Sequence, residues 1–438
     1  MTTAVALITL GCPKNIVEGE QMAGILQAQG FSLTTDLAHA DIAVIHTCSF
    51  IGDARNESSR MIRSLVQRKK LGRLKKVIVT GCFVQDEGKQ IMRLFPGVDG
   101  FMGTGTLGSL GSFIESSDRY CVGSAGGLLE SSATRLLSSA LPSAYVRIAE
   151  GCNHRCSFCT IPRLRGRYVS RSMSSVVAEA RQLADIGIRE LVLVAQDVTV
   201  FGRDRSGRLM LPHLLTNLAR IPAIRWIRLL YAYPSTVSDE LLGVMNDEEK
   251  ICRYIDMPLQ HASPAVLKRM HRPLHVRALL ERIKKRVPGI AVRTTFITGF
   301  PGETKEDFNQ LRSLIAEGWF EHLGVFAYSD QSRAASAKYL DKVPAALALS
   351  RQKELMSVQQ KIVRRHNAAR IGSIEEMLVE RQEQKRYNAK TPFVAGRTRF
   401  QAPEIDSIVR AAGSASNGTF VRVKITGFSG YDLIGTIL

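Results

Sequence analysis

The chain has 438 residues, 45% of them hydrophobic and 23% charged, which exceeds what one ordinary core supports and predicts two or three globular domains. No continuous apolar run is long enough for a membrane helix, and Met1 to Leu10 lacks the basic start and cleavage region of a signal peptide, so a cytoplasmic protein with no membrane partner is expected. The net charge of +19 lies almost wholly in the middle: residues 136–371 carry 36 Lys and Arg against 21 Asp and Glu, whereas residues 1–135 carry 14 against 12 and residues 372–438 carry 9 against 7.

In the first part, Ala4 to Leu10 reads as an apolar strand ending in Gly11-Cys12, Asp41 to Thr47 as a second ending in Cys48, and Val77 to Thr80 as a third ending in Gly81-Cys82. Helical patterns at Ile16 to Gln29 and Asp53 to Lys70 separate them. Alternating strand and helix predicts a parallel sheet, and ligands of such sheets gather outside the carboxyl ends of the strands. Cys12, Cys48 and Cys82 are therefore expected to meet and hold a metal cluster, the competing reading being buried core cysteines. Cys121 and Cys252 have no such company and are expected to be structural thiols. Cytosolic thiols stay reduced, which suits ligation better than disulfides.

The apolar run Ala144 to Ala149 leads into Gly151-Cys152-Asn153-His154-Arg155-Cys156-Ser157-Phe158-Cys159. A structural zinc closes its sphere with four protein ligands, whereas three thiols with no fourth Cys or His in phase leave a coordination position open. An open iron-sulfur cluster on Cys152, Cys156 and Cys159 fits this better than the zinc site or redox pair that Cys-x-x-Cys alone allows. Further strands are expected at Glu190 to Ala195, Ile224 to Tyr231, Tyr254 to Leu259, Val292 to Ile297 and Leu323 to Tyr328. Helices fall between them, among them Ser174 to Ile186 with Ser174 as N-cap and Thr304 to Glu317. Six such units suggest a partial (β/α)6 barrel whose function collects at the carboxyl ends of the strands. Gln196-Asp197, Gln260-His261 and Thr298-Gly299-Phe300-Pro301-Gly302-Glu303 occupy that rim, the last with two glycines where backbone can approach a ligand. The basic runs Arg60 to Lys76 and Lys268 to Arg286 either attract nucleic acid phosphates or form solvated helix faces.

After a long helix, Ala345 to Ala369, short β-like runs at Glu376 to Arg381, Pro392 to Phe400, Phe420 to Ile425 and Tyr431 to Ile437 predict a small carboxyl-terminal β-barrel. It is nearly neutral and carries Pro403-Glu404-Ile405-Asp406. Glu404 and Asp406 are expected to form an acidic face that receives a basic protein substrate.

The three-Cys motif, with Phe158 just before its last Cys, resembles that of the radical S-adenosylmethionine (SAM) superfamily, and Thr298 to Glu303 resembles the stretch that contacts SAM there. Over essentially the whole chain, the order of parts resembles the methylthiotransferase family: 1–135 an amino-terminal α/β domain with an auxiliary cluster, 136–371 a radical SAM domain, 372–438 a TRAM barrel. Within it, Leu10-Gly11-Cys12-Pro13-Lys14-Asn15, Leu164-Arg165-Gly166-Arg167, Tyr254 to Ser263 and Gln401 to Asp406 resemble the branch that modifies ribosomal protein S-twelve; the tRNA-modifying branch tends to have Gln and Met where Pro13 and Lys14 stand. The resemblance implies two [4Fe-4S] clusters, one on Cys152, Cys156 and Cys159 and one on Cys12, Cys48 and Cys82, with SAM as methyl donor and radical source. It implies a SAM site including Phe158, Gln196, Asp197, Thr298, Gly299, Pro301, Gly302 and Glu303, and methylthiolation of the β-carbon of an aspartate. Ordinary acid-base side chains cannot activate such a carbon, so a cofactor must carry the hard step. An electron donor and RNA contact through the basic middle are implied as partners, with the substrate free or on the small ribosomal subunit. Two departures stand out: His46 where relatives usually have Asn, and Asp330-Gln331-Ser332-Arg333 in place of a more acidic turn. The alternatives are methylthiolation of an adenosine in tRNA, and an RNA-binding or electron-transfer protein with structural clusters.

Overall fold

A computed structural model describes residues 3–125, 135–139, 142–383 and 392–438. In the first domain six parallel strands lie in the order Ser32–Thr34, Ala4–Thr9, Ile42–Thr47, Lys76–Gly81, Gly100–Met102 and Tyr120–Cys121. The three strands that end in cysteines are thus neighbours, in register through Thr9 opposite His46, His46 opposite Thr80 and Thr47 opposite Gly81. The helix after the first strand, Pro13–Ala28, starts three residues before its apolar periodicity, because Pro13 at its first position and Cys12 at its N-cap suit helix initiation. It is buried on more than one face: Met22 and Leu26 join the core of its own sheet, while Val17, Lys14, Glu18 and Gln21 are covered as the middle domain packs on it.

The middle domain is an open parallel sheet in the order His322–Ala327, Ala291–Thr298, Ile251–Asp256, Trp226–Leu229, Glu190–Val194 and Ser143–Arg147, the partial barrel that six strand-helix units predict. Its core fills the space between sheet and helices, with Leu191, Leu193, Ile227, Ile255, Phe296 and Leu311 fully buried. The helix expected to be capped by Ser174 begins at Met173, and Ser172 caps it by accepting from the Ser175 N–H. The helix Lys305–Ala316 has a full capping box between Thr304 and Asp307.

The carboxyl-terminal domain is a closed barrel of Ile374–Glu383, Phe393–Thr398, Val409–Ala412, Asp432–Ile437 and Phe420–Ser429. The strand Val409–Ala412 escapes sequence reasoning because four residues with two alanines carry little β propensity; tertiary pairing on both sides makes it a strand. The barrel is fastened to the middle sheet. Arg397 pairs with Glu190 and Glu380, the Tyr254 hydroxyl donates to Asp406 at 2.7 Å, and the Trp226 ring meets Phe420 edge-on at 4.9 Å. One apolar cluster draws Val17 from the first domain, Val192, Trp226 and Tyr254 from the middle, and Leu378 and Ala402 from the barrel. Among the described residues no helix is long and apolar enough to cross a membrane.

Candidate functional site

Neighbouring parallel strands run about 4.8 Å apart, so residues just past three aligned strand ends must converge. Cys12, Cys48 and Cys82 do. Gly11 and Gly81 allow it, with φ of 99° and 101°: a Cβ on Gly11 would stand 2.7 Å from the Cys48 Cβ, and one on Gly81 would stand 2.7 Å from the Thr47 carbonyl oxygen. Burial pushes the Cys82 thiol up to about 12 and the Cys48 thiol upward as well, against the pull of Arg165.

Arg165 belongs to the middle domain, six residues beyond Cys159, and ties the two parts together. Its Nε donates to the Cys82 sulfur at 3.2 Å, Nη2 to Asn15 Oδ1 at 2.7 Å, and Nη1 to Glu18. Glu18 also takes Arg147 at 2.6 Å and His46 at 2.8 Å; Arg147 continues to Glu150 at 2.9 Å, and Glu150 accepts from Gln196 at 2.6 Å. Burial alone would raise Glu18, but Arg165 and Arg147 hold it well below the usual carboxylate range. His46 is fully buried within this network. The turn Asp330 to Arg333 also reaches the first domain, Arg333 donating to Asp86 at 3.0 Å.

Cys152, Cys156 and Cys159 lie on the segment between Glu150 and the short helix Ile161–Arg165. The backbone N–H of His154 donates to the Cys152 sulfur and that of Ile161 to the Cys159 sulfur, each at 3.4 Å, while Arg272 Nη1 reaches the Cys156 sulfur at 3.5 Å. Arg272 lies over Tyr233, which stacks on His154 with centroids 3.5 Å apart, and His154 is held by Asp197 at 2.7 Å. Burial pushes the Cys152 and Cys159 thiols up to about 11 and about 12.

Thiols raised this far ionise when a metal takes the thiolate, and donors already aimed at the sulfurs favour that anion. Among the described residues no three His, Cys, Asp or Glu side chains close on a single ion. Each cysteine set offers three thiols with donors at its sulfurs, which fits a thiolate-held cluster in donor chemistry.

The other expected site residues are placed variously. Phe158 meets Phe300 edge-on at 6.5 Å, in a wall with Tyr328 and Tyr339. Asp197 is spent on His154 and Thr199. Thr298 donates to the Ala348 carbonyl, and Glu303 takes Arg351 and the Gly299 N–H. The Cα faces of Gly299 and Gly302 are filled by protein: a Cβ would meet Ala348 at 2.3 Å and Arg269 and Asp341 at 2.7 Å, while the Pro301 carbonyl accepts from Arg269. The two residues of the expected acidic face are placed differently. The Asp406 side chain is 1% exposed and holds Tyr254, Arg293 and His322, whereas Glu404 is exposed and accepts from Tyr145 at 3.0 Å. The basic run is partly neutralised, with Lys284 on Glu321 and Arg282 and Arg286 on Asp239.

Three family models match in succession: uncharacterized protein family UPF0004 at residues 4–103, the radical SAM superfamily at 146–315, and the TRAM domain at 371–438. A ribosomal protein uS12 methylthiotransferase RimO from Endomicrobium trichonymphae is 44% identical over 437 residues, 98% of this chain and 97% of that one. Another of the same name from Syntrophotalea carbinolica is 43% identical over 444 residues, 99% and 96% of the two chains. The chain belongs to the RimO family of methylthiotransferases. Its fold is also that of a solved radical SAM methyltransferase, TsrM from Kitasatospora setae, with a TM-score of 0.58 at 15% identity, covering 77% of this chain and 74% of that one. Within this RimO family chain, sequence reasoning missed Arg272, which is hidden in a basic run, and Tyr231 and Tyr233, which follow the strand Trp226–Leu229 at the functional rim.

Proposed function

We propose that the protein methylthiolates the β-carbon of an aspartate in ribosomal protein uS12, with one [4Fe-4S] cluster on Cys152, Cys156 and Cys159 and a second on Cys12, Cys48 and Cys82. The observation that carries this is the single segment 152–165, which begins with one cysteine set and ends with Arg165 on Cys82 of the other. Two sites facing one seam suit a reaction in which a carbon is activated and given sulfur in the same place, since positioning is most of what the protein must contribute. When bound, the clusters and SAM would supply the one-electron chemistry, the sulfur and the methyl group.

The chain's own groups hold and shield. Arg272, Arg165 and the N–H groups of His154 and Ile161 offset negative charge on the thiolates. Burial of Cys48 and Cys82, and the aromatic wall of Phe158, Phe300 and Tyr328, exclude water from their neighbourhood. The SAM site is assigned around Phe158, Gln196, Asp197 and Thr298 to Glu303, with several of these groups shaping it through their neighbours. RNA contact through the middle domain is part of the same reading, supported by exposed Lys268 and Lys285. An external electron donor completes it, with the division of labour 1–135, 136–371 and 372–438. The test offers reconstituted protein, SAM and reductant to isolated uS12, assembled small subunits and tRNA side by side. Methylthio product on uS12 is expected; product on tRNA alone would make the adenosine reaction the correct one.

A further inference from the structure

The seam between the first two domains contains a cation that the described residues leave without an acceptor. Lys14 lies in the first turn of the helix Pro13–Ala28 and is 7% exposed. Its Nζ stands 3.5 Å from the centroid of the Tyr231 ring, and among the described residues no oxygen accepts from it. Glu150, whose charge also acts on Lys14, is itself engaged by Arg147, Gln196 and the Gly151 N–H. The face offered by Tyr231 is fixed, because its N–H donates to Asp256 at 3.0 Å. Two residues on, Tyr233 stacks on His154 beneath Arg272, which reaches Cys156. Lys14 is two residues from Cys12 and its charge acts on Cys12 and Cys48, so its ammonium stands beside the first cysteine set, on the side where Tyr231 and Tyr233 lead to the second.

The largely buried Lys14 side chain gives up much of its hydration, and the cation–π contact with Tyr231 returns only part of that. The balance favours an arriving anion. The start of a sixteen-residue helix adds a field of the same sign. We propose that Lys14 receives the carboxylate of the target aspartate and holds its β-carbon between the two cysteine sets, making the site selective for an acidic residue. This rests on the function proposed above. The same chemistry could be satisfied by the carboxylate of SAM, and the experiment separates the two.

Binding of uS12, of uS12 with the target Asp→Asn, and of SAM is measured on reconstituted wild-type protein, Lys14→Met and Lys14→Arg. One charge-assisted hydrogen bond predicts that K14M weakens uS12 binding about ten- to a hundredfold while leaving Asp→Asn uS12 and SAM within about twofold, with K14R recovering part of the loss. K14M should melt no lower than wild type, because it removes a buried charge without an acceptor, and the electron paramagnetic resonance signals of both clusters should be unchanged. Equal weakening toward Asp and Asn substrates, weakening confined to SAM, a lowered melting temperature, or altered cluster signals would each overturn the assignment. Wild-type protein that leaves uS12 unmodified overturns the proposed function itself. Wild-type protein that modifies uS12 while K14M binds it normally overturns only the role of Lys14.

Discussion

Glu190→Gln should loosen the barrel from the middle domain by an amount the structure sets. Glu190 is fully buried, accepting from Arg228 Nε and Ser143 Oγ at 2.7 Å each and pairing with Arg397 of the barrel. Burial would raise its carboxyl, but Arg397 and Arg228 outweigh that and hold it at about 2, against an ordinary 4.5. That gap corresponds to about 3 kcal/mol. Because the folded value is depressed, the contribution is complete above about pH 4.5 and disappears as pH falls through about 2. The substitution also leaves Arg228 buried without its carboxylate, keeping the Arg399 carbonyl at 2.8 Å and the ring faces of Tyr254 and Trp226, and breaking a buried pair costs about 3 to 5 kcal/mol. The two estimates agree. For a cooperative unit of about 300 residues this is a fall of roughly 5 °C in melting temperature at pH 7. Scanning calorimetry from pH 7 to 3 checks it, together with limited proteolysis for release of the barrel. In the variant, the part of the acid destabilisation due to Glu190 should vanish. A melting temperature within about 1 °C of wild type, or an unchanged pH dependence, would refute the reasoning.

Changing Cys152, Cys156 and Cys159 together to Ala should remove about half of the roughly eight irons expected for two four-iron clusters and abolish SAM cleavage. Changing Cys12, Cys48 and Cys82 should remove the other half and leave SAM cleavage uncoupled from product; iron analysis that finds either variant empty would indicate one shared site. Arg272→Met removes the positive group at Cys156 and should shift that cluster's reduction potential to a more negative value, with Arg272→Lys between, as read by redox titration. An unchanged potential would reduce Arg272 to packing on Tyr233.

The cysteine sets were legible because their information is local or topological. Spacing alone groups Cys152, Cys156 and Cys159, and three apolar runs with cysteines at matching ends bring Cys12, Cys48 and Cys82 together once a parallel sheet is inferred. The arginines were not legible. Arg165 and Arg272 act across domain or loop interfaces, and nothing in a single sequence distinguishes a buried guanidinium on a thiol from a solvated one in a basic run. Asp406 escapes for the same reason: it looks like surface charge until the middle domain supplies Tyr254, Arg293 and His322 to bury it, whereas its neighbour Glu404 stays exposed. The rim loop Thr298 to Glu303 was located correctly as a strand-to-helix turn, but the space its glycines clear is filled by Ala348 and Arg269.

The central claim is the identity of the product, and mass spectrometry of uS12 from otherwise identical cells with and without this gene tests it most directly. With the gene, the target aspartate should carry an added methylthio group on its β-carbon; without it, or with Cys12, Cys48 and Cys82 replaced, that mass should be absent. Modified uS12 in cells lacking the gene, or unmodified uS12 alongside a methylthioadenosine in tRNA that depends on the gene, would contradict the account.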